Sequence, residues 1–376
     1  MTKRYALLLP LFFWFLLPAV AQQGYTLYNM RYLPQATFLN PAFQPECKVH
    51  VGIPGVSGLY GRAGWSGFFW KDAVELDAND SLEYTIDNAI SKLGSANYLD
   101  GSARVDALHF GFWLNERSYL SFNASSRFYS RLVLSDQVFQ LLWEGNGGSL
   151  LGERIPSDHL SLDGTWYNEY AVHYSRQVND KWTVGGRLKL LQGMANFWTK
   201  ELDMELFTNE ETFWLELDGD MQFNTSGLDS ITNGEDDDLD NIDYNLKNLG
   251  VGIDLGAVYK VSEKLELSAS ILDLGFINWS NRVRNYEYND VNLEFRGFDG
   301  FDELLDNTDA FADSLESTLE QLADSLRDQA DPEENNDSYR TMLVGRFYFG
   351  GNYRLGEKHH LGLLTSATVT CFFVPS

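Results

Sequence analysis

The most constraining feature of this sequence is a strand-like alternation of apolar and polar residues that follows an export signal, with no long apolar helix after it. Residues 1–21 contain Lys3 and Arg4, an apolar run, and Ala-Val-Ala before Gln22, which is the layout of a cleaved secretory signal peptide. An exported chain cannot carry long apolar helices, but it can carry strands whose apolar faces form only after folding. The combination predicts an all-β protein, an antiparallel transmembrane β-barrel in a bacterial outer membrane.

The alternation is clearest between residues 117 and 134, where one parity is apolar and the other is polar. Leu120 and Phe122 share the first parity, and Ser121 and Asn123 share the second, as the period-two geometry of a strand requires. Other segments that alternate in this way are 170–178, 182–190, 251–259, 265–271 and 343–354. Several run for roughly 10 to 18 residues, longer than is usual in globular proteins, which favours membrane-spanning strands. A secreted β-sandwich shows the same alternation and is the alternative.

The connections between these segments are of two kinds. Short charged turns and long polar loops both recur along the chain. The short turns are at 115–117, 179–181, 262–264 and 356–358, and the long loops are near 135–157, 227–248 and 297–338. A membrane barrel has this asymmetry, because its short turns face the periplasm and its long loops face the exterior.

The number of strands does not agree fully with this picture. We count about eleven strands, whereas a complete barrel of this kind is expected to have about 14. If the turns near 180 and 263 both face the periplasm, an even number of strands lies between them, yet about three or four are found. Either residues 182–207 form two strands or one of the two turns is misassigned.

Composition argues against several classes of function. The net charge of −26 makes nucleic-acid binding unexpected, because phosphate contacts require clustered Lys and Arg. Aromatic residues make up 14% of the chain, as in barrels with aromatic girdles at both membrane interfaces. The two cysteines, Cys47 and Cys371, do not make a disulfide scaffold, and they can pair only if the first and last strands are neighbours.

The acidic residues gather in two tracts, 235–243 and 301–337. The first tract lacks the central Gly and closing Glu of a calcium loop, so a solvated loop is expected there. Within 301–327, apolar residues recur at intervals of three and four, which predicts an amphipathic helix inserted in an outer loop. This helix, at 300–330, either packs across the mouth of the barrel or docks a partner protein.

Enzymatic activity is not expected. None of the six histidines has the spacing of metal ligands, and no nucleophile elbow, zinc pattern or phosphate-binding loop occurs. We therefore expect no catalytic residue, no metal and no cofactor.

Five basic residues have the polar parity of their strands and are expected to face the lumen of the barrel. They are Arg127, Arg131, Arg187, Lys189 and Arg346. Two roles stand open for them. The cations guide an anionic solute or a carboxylate head group, or they pair with interior acids such as Glu169, Asp254 and Glu266 and brace the barrel.

The N-terminal region carries the local motif of greatest weight, Leu39-Asn40-Pro41-Ala42-Phe43, between residues 30–36 and 51–55. These stretches resemble the start of an uncharacterised family of outer-membrane β-barrels from Bacteroidota, a domain of unknown function. The Asn-Pro-Ala is also similar to that of FadL-like fatty-acid transporters and of barrels associated with type IX secretion. The resemblance to FadL-like barrels implies a plug in the lumen that contains Asn40, Pro41 and Ala42. A simple turn is the alternative, since Pro fixes φ and Asn caps locally.

Three regions are therefore expected: a signal peptide in residues 1–21, a plug-like segment in 22–46 and an outer-membrane barrel in 47–376. Outer-membrane barrels usually end in a strand with a terminal aromatic residue. This chain ends in Pro375-Ser376 instead, so we expect the barrel to lack its last strands, and an irregular tail after the final strand is the alternative.

The expected function is that of a channel or transporter-like barrel in the outer membrane, and by resemblance its solute is hydrophobic. The alternative is a structural or adaptor barrel that serves a secretion or surface-attachment machine. The expected partners are outer-membrane lipid and, for the adaptor, a protein bound at the 300–330 helix.

Overall fold

The structure, a computed structural model, describes residues 25–56, 58–76, 82–84, 86–145, 147–157, 159–228, 247–295, 332–356 and 359–369. Strands dominate these residues, and the fold is all-β and antiparallel, as the alternation predicted. The strands are β1 (Val49–Val51), β2 (Leu59–Trp65), β3 (Val74–Leu76), β4 (Leu82–Tyr84), β5 (Asn97–Asn115), β6 (Ser118–Leu134), β7 (Arg154–Pro156), β8 (Ser161–Gln177), β9 (Trp182–Thr208), β10 (Leu215–Ser226), β11 (Leu249–Lys260), β12 (Leu265–Trp279), β13 (Val283–Phe295), β14 (Glu333–Asn335), β15 (Tyr339–Met342), β16 (Gly345–Arg354) and β17 (His360–Val369). The helices in the same residues are α1 (Tyr25–Asn29), α2 (Ile86–Ile90) and α3 (Asp136–Glu144), with 3₁₀ turns at Pro34–Phe38 and Trp70–Asp72.

Fifteen of the described strands form one sheet, in which the pairings are antiparallel. Its main path runs β1-β5-β6-β8-β9-β11-β12-β16-β17, and β2 pairs farther along β5 on the same side as β1. β3 and β4 form a small separate sheet. Within the described ranges, no pairing joins β17 to β1 or β2, so backbone hydrogen bonds do not close the sheet there.

β9 is a single strand of 27 residues, and it explains the uncertain strand count. At the end with the short turns, β9 pairs with β11, where Trp182 lies opposite Tyr259. Farther along, β9 pairs with β10, where Asn196 lies opposite Ser226. β10 and β11 therefore lie end to end beside one long strand. Both alternatives offered by the sequence are wrong, because residues 182–207 are one strand and both short turns lie at the same end of the sheet.

The far half of β9 continues into an extension that also contains β7, β10, β13 and β14. Three of its strands, β9, β10 and β13, share an apolar cluster that includes Met204, Met221, Val291 and Leu293. The extension and α3 lie at the end of the sheet that carries the long loops, and α3 occupies the loop predicted at 135–157. This end is called the loop end below, and the opposite one the turn end.

Several segments with sequence predictions lie outside the described residues, and those expectations stay predictions. These segments are the predicted signal peptide in residues 1–21, the acidic tract at 235–243, the predicted helix at 300–330, and residues 370–376. The last of them includes Cys371. Among the residues that the structure does describe, no helix is both long enough and apolar enough to cross a membrane.

The sheet curls until strands that are distant in its order meet across a common interior. Arg127 on β6 reaches Asp273 on β12 at 3.0 Å, although β8, β9 and β11 lie between these two strands in the sheet. The inner face is polar and carries buried residues such as Asn123 and Ser125. The outer face carries exposed apolar side chains such as Leu188. This distribution is the inverse of that in a water-soluble domain, whose large apolar side chains lie mostly inside.

Candidate functional site inside the curled sheet

Residues 25–46, called the N-terminal segment here, lie in the interior of the sheet at its turn end. Pro34 opens the 3₁₀ turn of this segment, a position where its missing N–H leaves no hydrogen bond unmade. The segment contacts β5, β8, β9, β11, β12 and β16, and so touches the sheet from many sides. Ala42 belongs to a buried apolar cluster with Tyr28 and with Tyr348 of β16.

Asn40 fastens the N-terminal segment to the sheet and is completely buried. Its side-chain amide donates to the carbonyl oxygen of Ala269 at 3.1 Å and to the hydroxyl of Tyr28 at 3.2 Å. Its side-chain oxygen accepts the backbone N–H of Ala42 at 2.9 Å, which closes a local turn around Pro41. The motif therefore forms a turn and a contact with the sheet at the same time, so the two interpretations of Asn-Pro-Ala are compatible.

Pro41 lies where two strands of the sheet carry glycine. A Cβ added to Gly185 on β9 would overlap the carbonyl group of Pro41, and a Cβ added to Gly256 on β11 would overlap the same motif. His173 on β8 donates from Nε2 to the Pro41 carbonyl oxygen at 2.6 Å, and its Nδ1 lies 3.0 Å from Ser121 Oγ. A carbonyl oxygen only accepts, so this geometry places a proton on Nε2 and leaves Nδ1 to accept from the serine hydroxyl. His173 thus positions the segment.

Two more hydrogen bonds follow the backbone of the N-terminal segment. Arg187 on β9 donates to the carbonyl oxygen of Thr37 at 3.2 Å. Ser270 on β12 donates to the carbonyl oxygen of Leu39 at 2.6 Å. Together with the bond to Pro41, the sheet therefore binds the backbone carbonyl groups of three alternate residues of the segment.

Replacing Asn40 with Ala is expected to loosen the N-terminal segment while the sheet stays folded. The change leaves the Ala42 N–H and the Ala269 carbonyl without their partner, at a cost of about 1–3 kcal/mol for buried groups. Because the segment must open before a protease can cut it, trypsin cleavage after Arg31 should rise about tenfold, as read by mass spectrometry. Gln44→Ala, which removes an exposed hydrogen bond of the same segment, is the matched control. Equal cleavage of the two variants would contradict the anchoring role of Asn40.

On the loop side of the N-terminal segment, the described residues bring four cations and three carboxylates together in the interior. This ionic network consists of Arg127, Arg187, Lys189, Arg346, Glu169, Asp254 and Asp273. Asp273 on β12 is its centre, because it pairs with Lys189 at 2.5 Å, with Arg127 at 3.0 Å and with Arg346.

The other pairs of the ionic network reach the remaining strands. Lys189 pairs with Asp254 on β11 at 2.6 Å, and Arg127 pairs with Glu169 on β8 at 2.6 Å. Arg187 lies 3.6 Å from Asp254. Buried charges are tolerated only when each has a partner, and breaking such a pair leaves an uncompensated ion. The network therefore holds six strands, β6, β8, β9, β11, β12 and β16, around one interior.

The structure places four of the five basic residues predicted to face the lumen in the ionic network. Arg131 lies nearer the loop end, with its guanidinium 5.1 Å from the ring centre of Tyr98 and 5.7 Å from that of Tyr129. Of the three acids proposed as partners, two join the network, whereas Glu266 pairs with Arg31 of the N-terminal segment. These contacts favour the bracing role of the cations over a path for an anionic solute.

Alternation along the sequence missed Asp273, although it is the centre of the ionic network. Leu272 and Asp273 are both buried, because a β-bulge in β12 changes the parity of the strand. Asp273 has φ of +59°, which Asp tolerates better than most residues, and its N–H donates to Asp254 at 2.7 Å. The sequence signal that could have revealed Asp273 is an acidic residue at a position whose parity belongs to the apolar face. A β-bulge before that position would place the carboxylate on the polar face instead.

A layer of aromatic and aliphatic side chains lies on the loop side of the ionic network. Trp279 and Ile277 of β12 are fully buried there beside Leu191 of β9. The indole N–H of Trp279 donates to Thr341 Oγ1 at 2.8 Å, and its ring stacks on Tyr339 with centroids 6.3 Å apart. The interior is thus occupied at three successive levels by the N-terminal segment, the ionic network and this aromatic layer.

The chemistry available to the site follows from these pairings. The carboxylates of the ionic network are held by cations, and His173 is held by Pro41 and Ser121. Within the described ranges, no group of three or more His, Cys, Asp or Glu side chains is arranged to hold a metal ion. The arrangement suits a seal across the interior that depends on the position of the N-terminal segment.

A curled antiparallel sheet with a polar interior and an apolar exterior is the architecture of the barrel class of proteins. The chain belongs to a family of unknown function, DUF5723, whose profile matches residues 41–370. The resemblance to an uncharacterised family is thereby confirmed, while the source in Bacteroidota and the similarity to type IX secretion barrels stay predictions.

Comparisons with single proteins add little to the family assignment. No curated protein matches the sequence. Among solved structures, the chain is similar to the crystal structure of the Ralstonia pickettii toluene transporter TbuX, at 9% identity and a TM-score of 0.33. That likeness covers 86% of this chain and 67% of the other. A TM-score this low does not establish a shared fold.

Proposed function

We propose that this protein is a transporter-like barrel of the bacterial outer membrane, and that its N-terminal segment closes the interior in the state described here. The observation that carries the proposal is the inverted distribution of side chains. Arg187 and Lys189 on β9 are 2% and 5% exposed, whereas Leu188 between them is 66% exposed. Lipid is the environment in which such a chain satisfies both faces.

The outer apolar face extends over several strands. Val251 on β11 and Phe349 on β16 are 53% and 55% exposed. Each large apolar side chain that stays in water rather than being buried loses about 1.5–3 kcal/mol of stabilising free energy. A secreted β-sandwich would cover this face with a second layer, so the exposure supports membrane placement over the soluble alternative. Export by the signal peptide in residues 1–21 and the source in Bacteroidota are parts of the same proposal.

Transport requires that the closed interior can open. The N-terminal segment is held by side-chain contacts, among them three hydrogen bonds from side chains of the sheet to its backbone carbonyls. Its displacement would remove one of the three levels of the interior without breaking strand pairings. By resemblance to FadL-like barrels, the solute that passes is proposed to be hydrophobic.

A second candidate function is that of a sealed adaptor for a secretion or surface-attachment machine. The observation in its favour is the interior itself, where the ionic network links six strands and none of its side chains is more than 17% exposed. The predicted docking helix at 300–330 would supply the partner surface of such an adaptor, as a type IX secretion barrel would require.

Uptake of apolar solutes by Gram-negative host cells that produce the protein would separate the two functions. The transporter predicts that a radiolabelled long-chain fatty acid or aromatic hydrocarbon enters faster than in cells with an empty vector. Arg154→Gln, which breaks an exposed ion pair in the extension, should leave that rate unchanged. Rates equal to those of the empty vector, with the protein present in the outer membrane, would contradict transport and favour the adaptor.

A further inference from the structure

Helix α3, in the loop between β6 and β7, has two apolar faces, and the sheet covers only one of them. Its first turn is capped by Ser135, whose Oγ accepts the N–H of Val138 at 3.1 Å. Val138 and Leu141 are buried in a cluster with Ile155 of β7. On the other face, Leu142 is 66% exposed.

The second apolar face of α3 consists of three residues spaced at three and four, of which Phe139 is partly covered and the other two are exposed. Phe139, Leu142 and Trp143 lie on one side of the helix, as the period of an α-helix requires. Trp143 is 57% exposed, and nearby in the loop after β2, Phe69 is 63% exposed. We call Phe69, Leu142 and Trp143 the rim patch.

The position of the rim patch follows from Trp65 at the loop end of β2. Trp65 has the parity of Leu59, whose side chain is exposed on the outer face, and it lies opposite the exposed Leu99 of β5. The ring of Phe139 lies 6.0 Å from the ring of Trp65 and 5.9 Å from that of Phe68. Helix α3 therefore packs on the outside of the sheet, and the rim patch continues its outer apolar face at the loop end.

We propose that the rim patch is an interfacial anchor that inserts into the outer leaflet of the membrane, at the boundary between head groups and acyl chains. The inference rests on the membrane placement proposed above and adds a specific lipid contact to it. Trp and other aromatic residues prefer this boundary, and a short amphipathic helix lies in its plane with the apolar face toward the acyl chains. Continuity with the outer face of the sheet identifies lipid, and not a partner protein, as the occupant.

The polar residues at the end of α3 agree with this orientation. Glu144 accepts hydrogen bonds from the backbone N–H and the hydroxyl of Ser149 at 2.9 and 2.6 Å, and from Gln140 at 2.8 Å. These bonds, first of all those from Ser149, hold the pKa of Glu144 below its usual value. A carboxylate that stays ionised belongs on the aqueous side of an interfacial helix.

Nitroxide labels in lipid vesicles test the anchor. In a background with Cys47 and Cys371 replaced by Ser, single cysteines at Leu142, Leu188 and Glu153 carry the label. Oxygen concentrates in acyl chains and a nickel chelate in water, so the ratio of their collision rates reports the environment. The anchor predicts a ratio at Leu142 that is several-fold above that at Glu153, an exposed residue of the same loop, and that does not exceed the ratio at Leu188 on the outer face of β9.

The three labels distinguish the failure of the anchor from the failure of membrane placement. If the label at Leu188 gives the collision ratio of a lipid environment and the ratio at Leu142 equals that at Glu153, the rim patch faces water and the anchor is wrong. If Leu142 is shielded from both reagents, a protein or a second copy covers the patch, which also overturns the anchor. If Leu188 itself matches Glu153, the outer face is not in lipid, and the proposed function fails with the anchor.

Discussion

Replacing Asp273 with Asn is expected to lower the free energy of unfolding by about 3–5 kcal/mol, the cost of removing one partner from a buried ion pair. Asp273 is the common partner of Lys189, Arg127 and Arg346, so its loss leaves three buried cations with too few carboxylates. Asn keeps the shape of the side chain and tolerates the backbone φ of +59°, so the change tests charge and not geometry. Urea unfolding in detergent micelles, followed by tryptophan fluorescence, measures the difference in the free energy of unfolding between the variant and the wild type.

An exposed ion pair supplies the matched control for this experiment. Glu205→Gln breaks the pair with Arg154, in which both side chains are more than half exposed. Such pairs contribute about 0–1 kcal/mol, because water and salt screen them. If Asp273→Asn cost no more than Glu205→Gln, the ionic network would not brace the sheet, and its cations would be available for another role.

Replacing Gly185 with Val is expected to displace the N-terminal segment, which removes the level of the interior at the turn end and makes opening of the interior more frequent. A Cβ at this position overlaps the carbonyl group of Pro41, whose backbone has no room to retreat while Asn40 and His173 hold it. In planar bilayers we expect the open fraction of the variant to exceed that of the wild type by about tenfold or more, which corresponds to a shift of about 1.4 kcal/mol in the balance of closed and open states.

A glycine with free space around it provides the comparison for Gly185. No heavy atom outside its chain neighbours lies within 4 Å of the position that a Cβ on Gly164 of β8 would take, so Gly164→Val adds the same side chain without touching the N-terminal segment. It should conduct as the wild type does. A closed Gly185→Val protein that retains its folded mobility on gels would mean that the segment does not control the interior, and the adaptor would gain support.

The strands of this protein could be predicted well because the polarity of each residue indicates the face of the sheet on which its side chain lies. The prediction of a strand at 117–134 matches β6 within one residue, since alternation is a local property that long strands repeat many times. The position of the N-terminal segment inside the sheet, by contrast, was inferred from a resemblance. Periodicity carries no information about an irregular stretch such as the one around Asn40.

The arrangement of the site could not be predicted, because its contacts join residues far apart in the chain. Asn40 meets Ala269, 229 residues away, and no local pattern marks that pair. Asp273 could not be assigned to the interior from the sequence, because one β-bulge in β12 reverses the parity that distinguishes the inner from the outer face of that strand. The length of β9 was equally hidden, since β10 and β11, which pair with the same edge of it, look like independent strands in the sequence until their registers with β9 are known.

The most direct test of the account is a scan of nitroxide labels along β6 in lipid vesicles, one position at a time from Leu120 to Ser125. If the outer face of the sheet lies in lipid, the collision rate with oxygen oscillates with a period of two residues, high at the even-numbered positions that face lipid and low at the odd-numbered positions that face the interior. A flat profile, or one with the opposite phase, would contradict the claim that this sheet presents its apolar face to a membrane.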